Sequence, residues 1–271
     1  MKKIKAILSD YDGTLADQNG NILQGVKNLI KKIQNKNVSF SLATGRAYYS
    51  SIRKVENELE IKGIHILHGG AMIFDSVNNK ILLLQSISSE SVKKIIKYFQ
   101  VQKLIFSMET KNSVFVSKKV KGSLHYPDLI NQAVSKYKNN EPILKIVIYA
   151  KANKLSEKQI ELHKKNLQNI CSDISIHNFE YFDSFGSDIT SEKATKHTGV
   201  LEFIKILNLS PDEVVAIGDG HNDYPLFTAS GFGIAMANAP KELKEIADLI
   251  VSKVTEGGMI EALKYIDENL T

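Results

Sequence analysis

The segment Ser9-Asp10-Tyr11-Asp12-Gly13-Thr14 sets two carboxylates where an apolar run, Lys3 to Leu8, gives way to a glycine turn. Acids this close repel one another unless a metal ion, a proton or a cationic side chain offsets them. A divalent cation is the natural partner. An EF-hand counted from Asp10 is excluded, because its sixth and twelfth positions would be Leu15 and Asn21 instead of glycine and a bidentate glutamate. The competing explanation is an ordinary polar turn in which an aspartate caps the next helix.

Three further segments bring polar chemistry to comparable places. Thr44-Gly45-Arg46 follows a second apolar run, Val38 to Ala43. Its hydroxyl and backbone amides could donate to a phosphate oxygen, with glycine allowing close approach; plain helix capping by Thr44 is the alternative. Gly218-Asp219-Gly220-His221-Asn222-Asp223 follows the run Glu213 to Ile217 and adds more carboxylates. Oxygen donors from Asp10, Asp219 and one backbone carbonyl suit a hard, octahedral Mg²⁺, and the absence of a His or Cys cluster argues against zinc. His221 reads as a surface or helix-start residue. The cation needed beside these acids is Lys196 or Lys193, between which spacing does not choose; Thr195 is available to cap a helix starting at Lys196.

The elements that must carry these residues alternate. Strand-like runs at Lys3–Leu8, Val38–Ala43 and Ile64–Leu67 are separated by helical spacing over Val26–Ile33 and a stripe of Tyr48, Ile52, Val55 and Leu59. Such alternation predicts an α/β fold with a parallel, doubly wound sheet, whose ligands bind outside the carboxyl ends of the strands. Beyond Gly69-Gly70 and Asn78-Asn79 the pattern becomes mixed. Strands are expected at Lys80–Gln85, Leu104–Met108, Val114–Ser117, Ile143–Ala150, Ile174–Ile176 and Tyr181–Ser184, with helices over Glu90–Phe99, Leu129–Tyr137 and Lys158–Leu167. From about Asp188 the first pattern returns, with a helix near Thr198–Leu207. The expected organisation is a discontinuous core, residues 1–79 and 188–271, interrupted by an inserted α+β domain, residues 80–187.

Composition narrows the class. The 271 residues are 43% hydrophobic and 24% charged, which excludes a disordered, collagen-like or low-complexity chain. No apolar run approaches the roughly 18 residues of a membrane span. The 35 basic and 30 acidic side chains give a formal charge of +5, but the lysines are scattered and no nucleic-acid-binding motif is present. Met1-Lys2-Lys3 is followed by Lys5 and Ser9-Asp10 before a signal-peptide core can develop, and the lone Cys171 has no partner thiol in the chain. A cytoplasmic protein, with no nucleic-acid or membrane partner, is expected.

At the four polar segments the chain resembles the haloacid dehalogenase superfamily of phosphotransferases. That pattern runs Asp-x-Asp-x-Thr, Ser or Thr, Lys, then Gly-Asp-x-x-Asn-Asp. The resemblance spans the core, and the insertion looks like the αβ cap (type C2) of the Cof-like, IIB branch. It implies Asp10 as nucleophile, Asp12 as general acid and base, and Thr44 and Lys196 as phosphate and charge partners, with Gly45, Arg46 and Asn222 also at the substrate. Asp10, Asp12 and Asp219 would hold Mg²⁺, with Asp223 supporting them from behind. Lys196 is favoured over Lys193 because Asp188-Ile189-Thr190 resembles the branch's Glu-Ile lead-in to its lysine, with Asp188 in place of the usual Glu. His68-Gly69-Gly70-Ala71 departs from the usual Asn-Gly-Ala, so no side-chain amide contact is carried over there. The implied function is a Mg²⁺-dependent phosphatase for a small phosphorylated metabolite, acting as a monomer or weak homodimer. A phosphomutase and a non-catalytic phosphometabolite sensor are the alternatives.

Overall fold

The computed structural model describes residues 3–118, 130–181 and 184–269. Met1, Lys2, Leu129 and residues 182–183, which enter the expectations above, lie outside them. In chain order the strands are β1 (Ala6–Ser9), β2 (Ser39–Leu42), β3 (Ile64–Leu67), β4 (Met72–Asp75), β5 (Lys80–Leu84), β6 (Phe106–Glu109), β7 (Ser113–Val116), β8 (Ile130–Ala133), β9 (Lys145–Tyr149), β10 (Ile174–Tyr181), β11 (Ser184–Ser191), β12 (Val214–Gly218), β13 (Phe232–Met236) and β14 (Leu249–Val251). The chain divides into two compact units: Met1–Gly45, Arg53–Leu83 and Thr195–Thr271 form the first, Arg46–Ile52 and Leu84–Ala194 the second.

The first unit is built on a parallel sheet of order β14-β13-β12-β1-β2. All four residues of β1 are buried, as apolar runs must be when helices cover both faces of a parallel sheet. Ala6 and Leu8 face a core shared with Val200 and Phe203 of the helix Lys196–Ile206. The helix Val26–Gln34 packs against Gly258–Asn269, where Lys32 and Lys36 both reach the buried Asp267, at 2.6 and 2.8 Å. From β1 the chain crosses to β2 on one side, whereas β12 returns to pair with β1 on the other. The strand order therefore reverses between β1 and β12, and a crevice opens at their carboxyl ends.

The second unit has a six-stranded sheet of order β10-β11-β9-β6-β7-β8, antiparallel except for the β7–β8 pair. Because side chains alternate along a strand, Phe106, Met108, Ile146, Ile148 and Ile189 line one apolar face, in a core with Val92, Ile95 and Phe99 of the helix Ser89–Val101 and Ile160 and Leu167 of the helix Glu157–Ile170. The opposite parity carries Glu109 and Lys145, 3.3 Å apart, and Asp188, 3.7 Å from the same ammonium.

The α/β class and the parallel sheet are as the sequence implies. The four-residue stripe from Tyr48 to Leu59 is buried throughout, carried on a π-helical turn, Tyr48–Ile52, that runs into the helix Arg53–Leu59. The helix expected over Leu129–Tyr137 is corrected. Its described part is the strand β8 followed by a short 3₁₀ turn, Val134–Lys136. Residues Ile130, Val134 and Tyr137 have helical spacing, but pairing with β7 supplies hydrogen bonds along the whole of β8 and decides the conformation. Strand β4 is a second difference, since the Gly69-Gly70 pair reads as punctuation and hides the antiparallel return that follows it. Among the described residues no helix is long and apolar enough to cross a membrane.

The turn between β3 and β4 sets where the helix Lys196–Ile206 begins. Gly70 has φ +103°, and a Cβ placed on it would lie 2.0 Å from the Thr195 carbonyl oxygen. Neither the backbone conformation nor the gap admits a side chain. Gly70→Ala is expected to cost about 2–4 kcal/mol, seen as a lower urea midpoint with an unchanged slope. A midpoint equal to wild type would show that the contact is dispensable.

Candidate active site

The acids named from the sequence come together at the crevice. Parallel pairing continues one residue past β1, where the Asp10 amide donates to the Ile217 carbonyl at 2.9 Å. Asp10 is thereby aimed out of the sheet beside the end of β12, and it is only 5% exposed. Gly13 turns the following loop back at φ +79°, and a Cβ there would collide with the Asp219 carboxylate at 2.2 Å. Thr14 reaches the same carboxylate and donates to Asp219 Oδ1 at 2.7 Å.

Lys196 is the first residue of its helix, behind a Thr195 cap that accepts the Thr198 amide at 3.0 Å. Its buried ammonium lies 2.6 Å from Asp10 Oδ1 and 2.5 Å from Asp223 Oδ1. The other oxygen of Asp223 accepts the amides of Asp219 and Gly220, at 3.0 and 2.9 Å. Asp223 thus ties the loop after β12 to the lysine. Lys193, the other candidate, is exposed on the second unit.

Charge in this centre is unbalanced. Among the described residues Asp10, Asp219 and Asp223 each offer a carboxylate oxygen within 4.8 Å of the others, with the Lys196 ammonium between Asp10 and Asp223. Burial pushes Asp10 well above the usual carboxylate range; Lys196 pulls it down, while Asp223, Asp219 and Asp12 push it further up. Asp219 is pushed up to about 7 by burial and by Asp223, with Thr14, Lys196 and Asn238 opposing. Burial would lower Lys196, but Asp10 and Asp223 outweigh it and hold the ammonium charged. Carboxylates that favour proton uptake are short of positive charge, and a cation among them would take the proton's place. An all-oxygen donor set fits a hard divalent ion. Asp223 is turned onto the Lys196 ammonium and two backbone amides, whereas Asp219 is held by the neutral side chains of Thr14 and Asn238 and keeps its charge for an ion; Asp10 and Asp219 are therefore the residues that could ligate it.

The remaining expected residues sit as follows. Ala43 continues β2 beside β1, its amide donating to the Ser9 carbonyl at 2.8 Å, so Thr44 emerges at the same sheet edge as Asp10. Thr44 is 1% exposed, and above Gly45 a Cβ would meet nothing within 4 Å, leaving that backbone open to approach. Asp12 is half-buried in the loop after β1. Asn222 and His221 are exposed on the 3₁₀ turn His221–Asp223. Arg46 belongs to the second unit, where it donates to Ser51 Oγ at 3.0 Å. One polar residue went unread: Asn238 donates to Asp219 Oδ2 at 2.7 Å from just beyond β13. The available clue was an amide side chain two residues past another parallel strand, at the edge where the acids gather.

A doubly wound sheet with acids gathered around a buried lysine at its switch point defines an α/β protein with a candidate cation-binding centre. The chain belongs to the haloacid dehalogenase-like hydrolase family, whose sequence pattern matches residues 7–263, and it is an enzyme of that hydrolase class. It is 24% identical to the putative phosphatase YkrA of Bacillus subtilis over 97% of both chains. Its fold is similar to a haloacid dehalogenase-like hydrolase from Bacteroides thetaiotaomicron, with a TM-score of 0.82 at 22% identity over 97% of this chain and 100% of that one. A HAD subclass IIB sugar phosphatase superposes with a TM-score of 0.78 at 20% identity over 97% and 98%.

Removing one partner of a buried charge cluster leaves the others uncompensated. Lys196→Met is expected to lose about 3–5 kcal/mol of stability in the metal-free protein at pH 7, measured by urea unfolding. Adding Asp223→Asn to that variant should recover part of the loss. Full additivity of the two substitutions would mean that the pair does not interact.

Proposed function

We propose that this chain is a Mg²⁺-dependent phosphatase that hydrolyses a small phosphorylated metabolite, a sugar phosphate or similar phosphomonoester, through an aspartyl phosphate on Asp10. The observation that carries the reading is the Asp10 carboxylate held by Lys196 at the switch point of the sheet. The phosphatase names of relatives such as YkrA support it.

Phosphoryl transfer asks the protein mainly for positioning and for neutralisation of charge. Lys196 fixes the rotation of the Asp10 carboxylate and lends its charge to the incoming phosphate. The Thr44 hydroxyl and the Gly45 amide donate to phosphate oxygens, while Arg46 and Asn222 are assigned to the substrate. Asp10 forms a bond to phosphorus as the bond to the leaving oxygen breaks, and Asp12 gives that oxygen its proton. Asp12 then takes a proton from water, whose oxygen displaces Asp10 and releases inorganic phosphate. Mg²⁺, held by the Asp10 and Asp219 carboxylates and the Asp12 backbone carbonyl, would offset the negative charge that phosphate adds to the acids. Thr14, Asn238 and Asp223 keep Asp219 in place. The inserted segment, residues 80–187, is the proposed cap, and selection among phosphomonoesters is assigned to it because the core contacts are common to them all.

With p-nitrophenyl phosphate as probe, Asp10→Asn should lower kcat by about 10⁴-fold or more. Asp12→Ala should lower it by about 10²–10⁴-fold, most for esters with poor leaving groups. Rapid acid quench with labelled substrate should trap phosphate on the wild-type chain. Turnover by Asp10→Asn at the wild-type rate would exclude the mechanism, and isomer formation from a primed sugar phosphate without phosphate release would replace hydrolysis by mutase chemistry.

Cation binding has its own readout. Mg²⁺ at 100 times its dissociation constant should stabilise the chain by about 2.7 kcal/mol, and Asp219→Asn should remove most of the shift. An unchanged melting temperature across a Mg²⁺ titration would count against the metal site.

A further inference from the structure

His65 and Glu56 are ionisable groups with almost no exposed surface, 0% and 1%, and neither belongs to the acid centre. His65 lies within β3, and its Nδ1 accepts the Leu42 amide at 3.1 Å. A neutral imidazole that accepts at Nδ1 carries its proton on Nε2. That nitrogen lies 3.5 Å from Glu56 Oε1. Glu56, on the helix Arg53–Leu59, also accepts from Ser76 Oγ, while the Ser76 amide donates to the Gly63 carbonyl at 2.9 Å and the Ser76 hydroxyl oxygen accepts the Gly63 amide at 3.0 Å. The chain of contacts thus runs from Ser76 through Glu56 and His65 to the last amide of β2.

Its position gives it a consequence. Strands β2 and β3 meet through the isolated parallel bridge Ala43↔Ile66, so an imidazole nitrogen stands at Leu42 where a neighbouring carbonyl would serve in a continuous ladder. Immediately afterwards the Thr44 amide donates to the Ile66 carbonyl and the Thr44 carbonyl accepts the Gly69 amide, both at 2.9 Å. The residue that sets Leu42 against β3 therefore also sets the height at which Thr44 leaves the sheet.

We infer that His65, its Nδ1 held on the Leu42 amide, is a positioning residue for the phosphate contact of Thr44. This rests on the reading of Thr44 as a phosphate-binding residue. His65 touches no reacting atom and acts through the Leu42 amide. Its exchange for a side chain that cannot accept at Nδ1 leaves that buried amide unsatisfied and lets the Thr44 segment drift.

The test compares His65→Asn with His65→Gln. Asparagine places its amide oxygen near the position of Nδ1, and glutamine places its polar end near Nε2. The full chain with Mg²⁺ is assayed on p-nitrophenyl phosphate, and the inhibition constant of inorganic phosphate is measured. Asn is expected to stay within about threefold of wild type and Gln to weaken phosphate by about tenfold, the scale of one hydrogen bond lost at a buried donor. In a Thr44→Val background the Gln-to-Asn ratio should fall below about twofold, because coupled residues are not additive. Equal inhibition constants for the two variants, or a ratio that persists in the Thr44→Val background, would overturn the inference and leave His65 a core residue only. Thr44→Val with wild-type phosphate affinity would instead strike the reading on which it rests, an outcome visible before His65 is altered. Independently of how any variant folds, a scalar coupling between the Leu42 amide nitrogen and His65 Nδ1 is expected in the NMR spectrum of the wild-type chain, and its absence would also overturn the inference.

Discussion

The ammonium of Lys196, buried between Asp10 and Asp223, is the contact on which the site depends. Its partners lie 186 and 27 residues away in sequence, so one cation joins the loop after β1, the loop after β12 and the start of a helix. Acids on adjacent strand ends would repel one another in a medium that screens charge poorly. One lysine only partly offsets them. The deficit left over separates this cluster from a closed structural ion pair, and it keeps the carboxylates receptive to a cation.

Much of this was readable in the chain because parallel sheets impose a simple rule. If each apolar run is a strand and each ends at the same edge, then the polar residues just past Leu8, Ala43 and Ile217 must be neighbours, however far apart they are in sequence. The structure brings Asp10 and Asp219 together in this way, and the start of the helix Lys196–Ile206 adds Lys196 beside them. The rule says nothing about side chains that meet by packing. His65 looks like a polar break in an apolar strand, and its partner Glu56 looks like a solvated residue on a charged helix. The burial of both follows from tertiary packing, which no local pattern records. The strand β8 was misread for a similar reason, because helical spacing of a few apolar residues is weak beside a full set of hydrogen bonds to β7.

The second unit shows the same competition on a sheet. Its helix-covered face follows directly from alternation, and Phe106, Met108, Ile146 and Ile148 could be placed there from sequence alone. The other parity holds Glu109, Lys145 and Asp188 together in a largely buried group. Burial pushes Asp188 up to about 6 and the nearby Tyr149 phenol up to about 12. Lysine answers two carboxylates here as in the first unit, and among the described residues no third acid joins them to make a group that could hold an ion. The size of the charge deficit, more than the presence of acids, distinguishes this group from the cluster around Asp10.

Asp223 illustrates how that balance is kept. With one oxygen on Lys196 and the other on two backbone amides, it has little left to offer an ion, yet its charge falls on the ionisable groups around it. It holds Lys196 protonated and raises the proton affinity of Asp10 and Asp219. Replacing it by an uncharged residue would relax the competition for positive charge without vacating a ligand position. Its contribution is therefore to the strength of the cation site, while Thr14 and Asn238, each on a separate oxygen of Asp219, govern that carboxylate's direction. Field and direction come from different side chains, so each can be weakened without loss of the other.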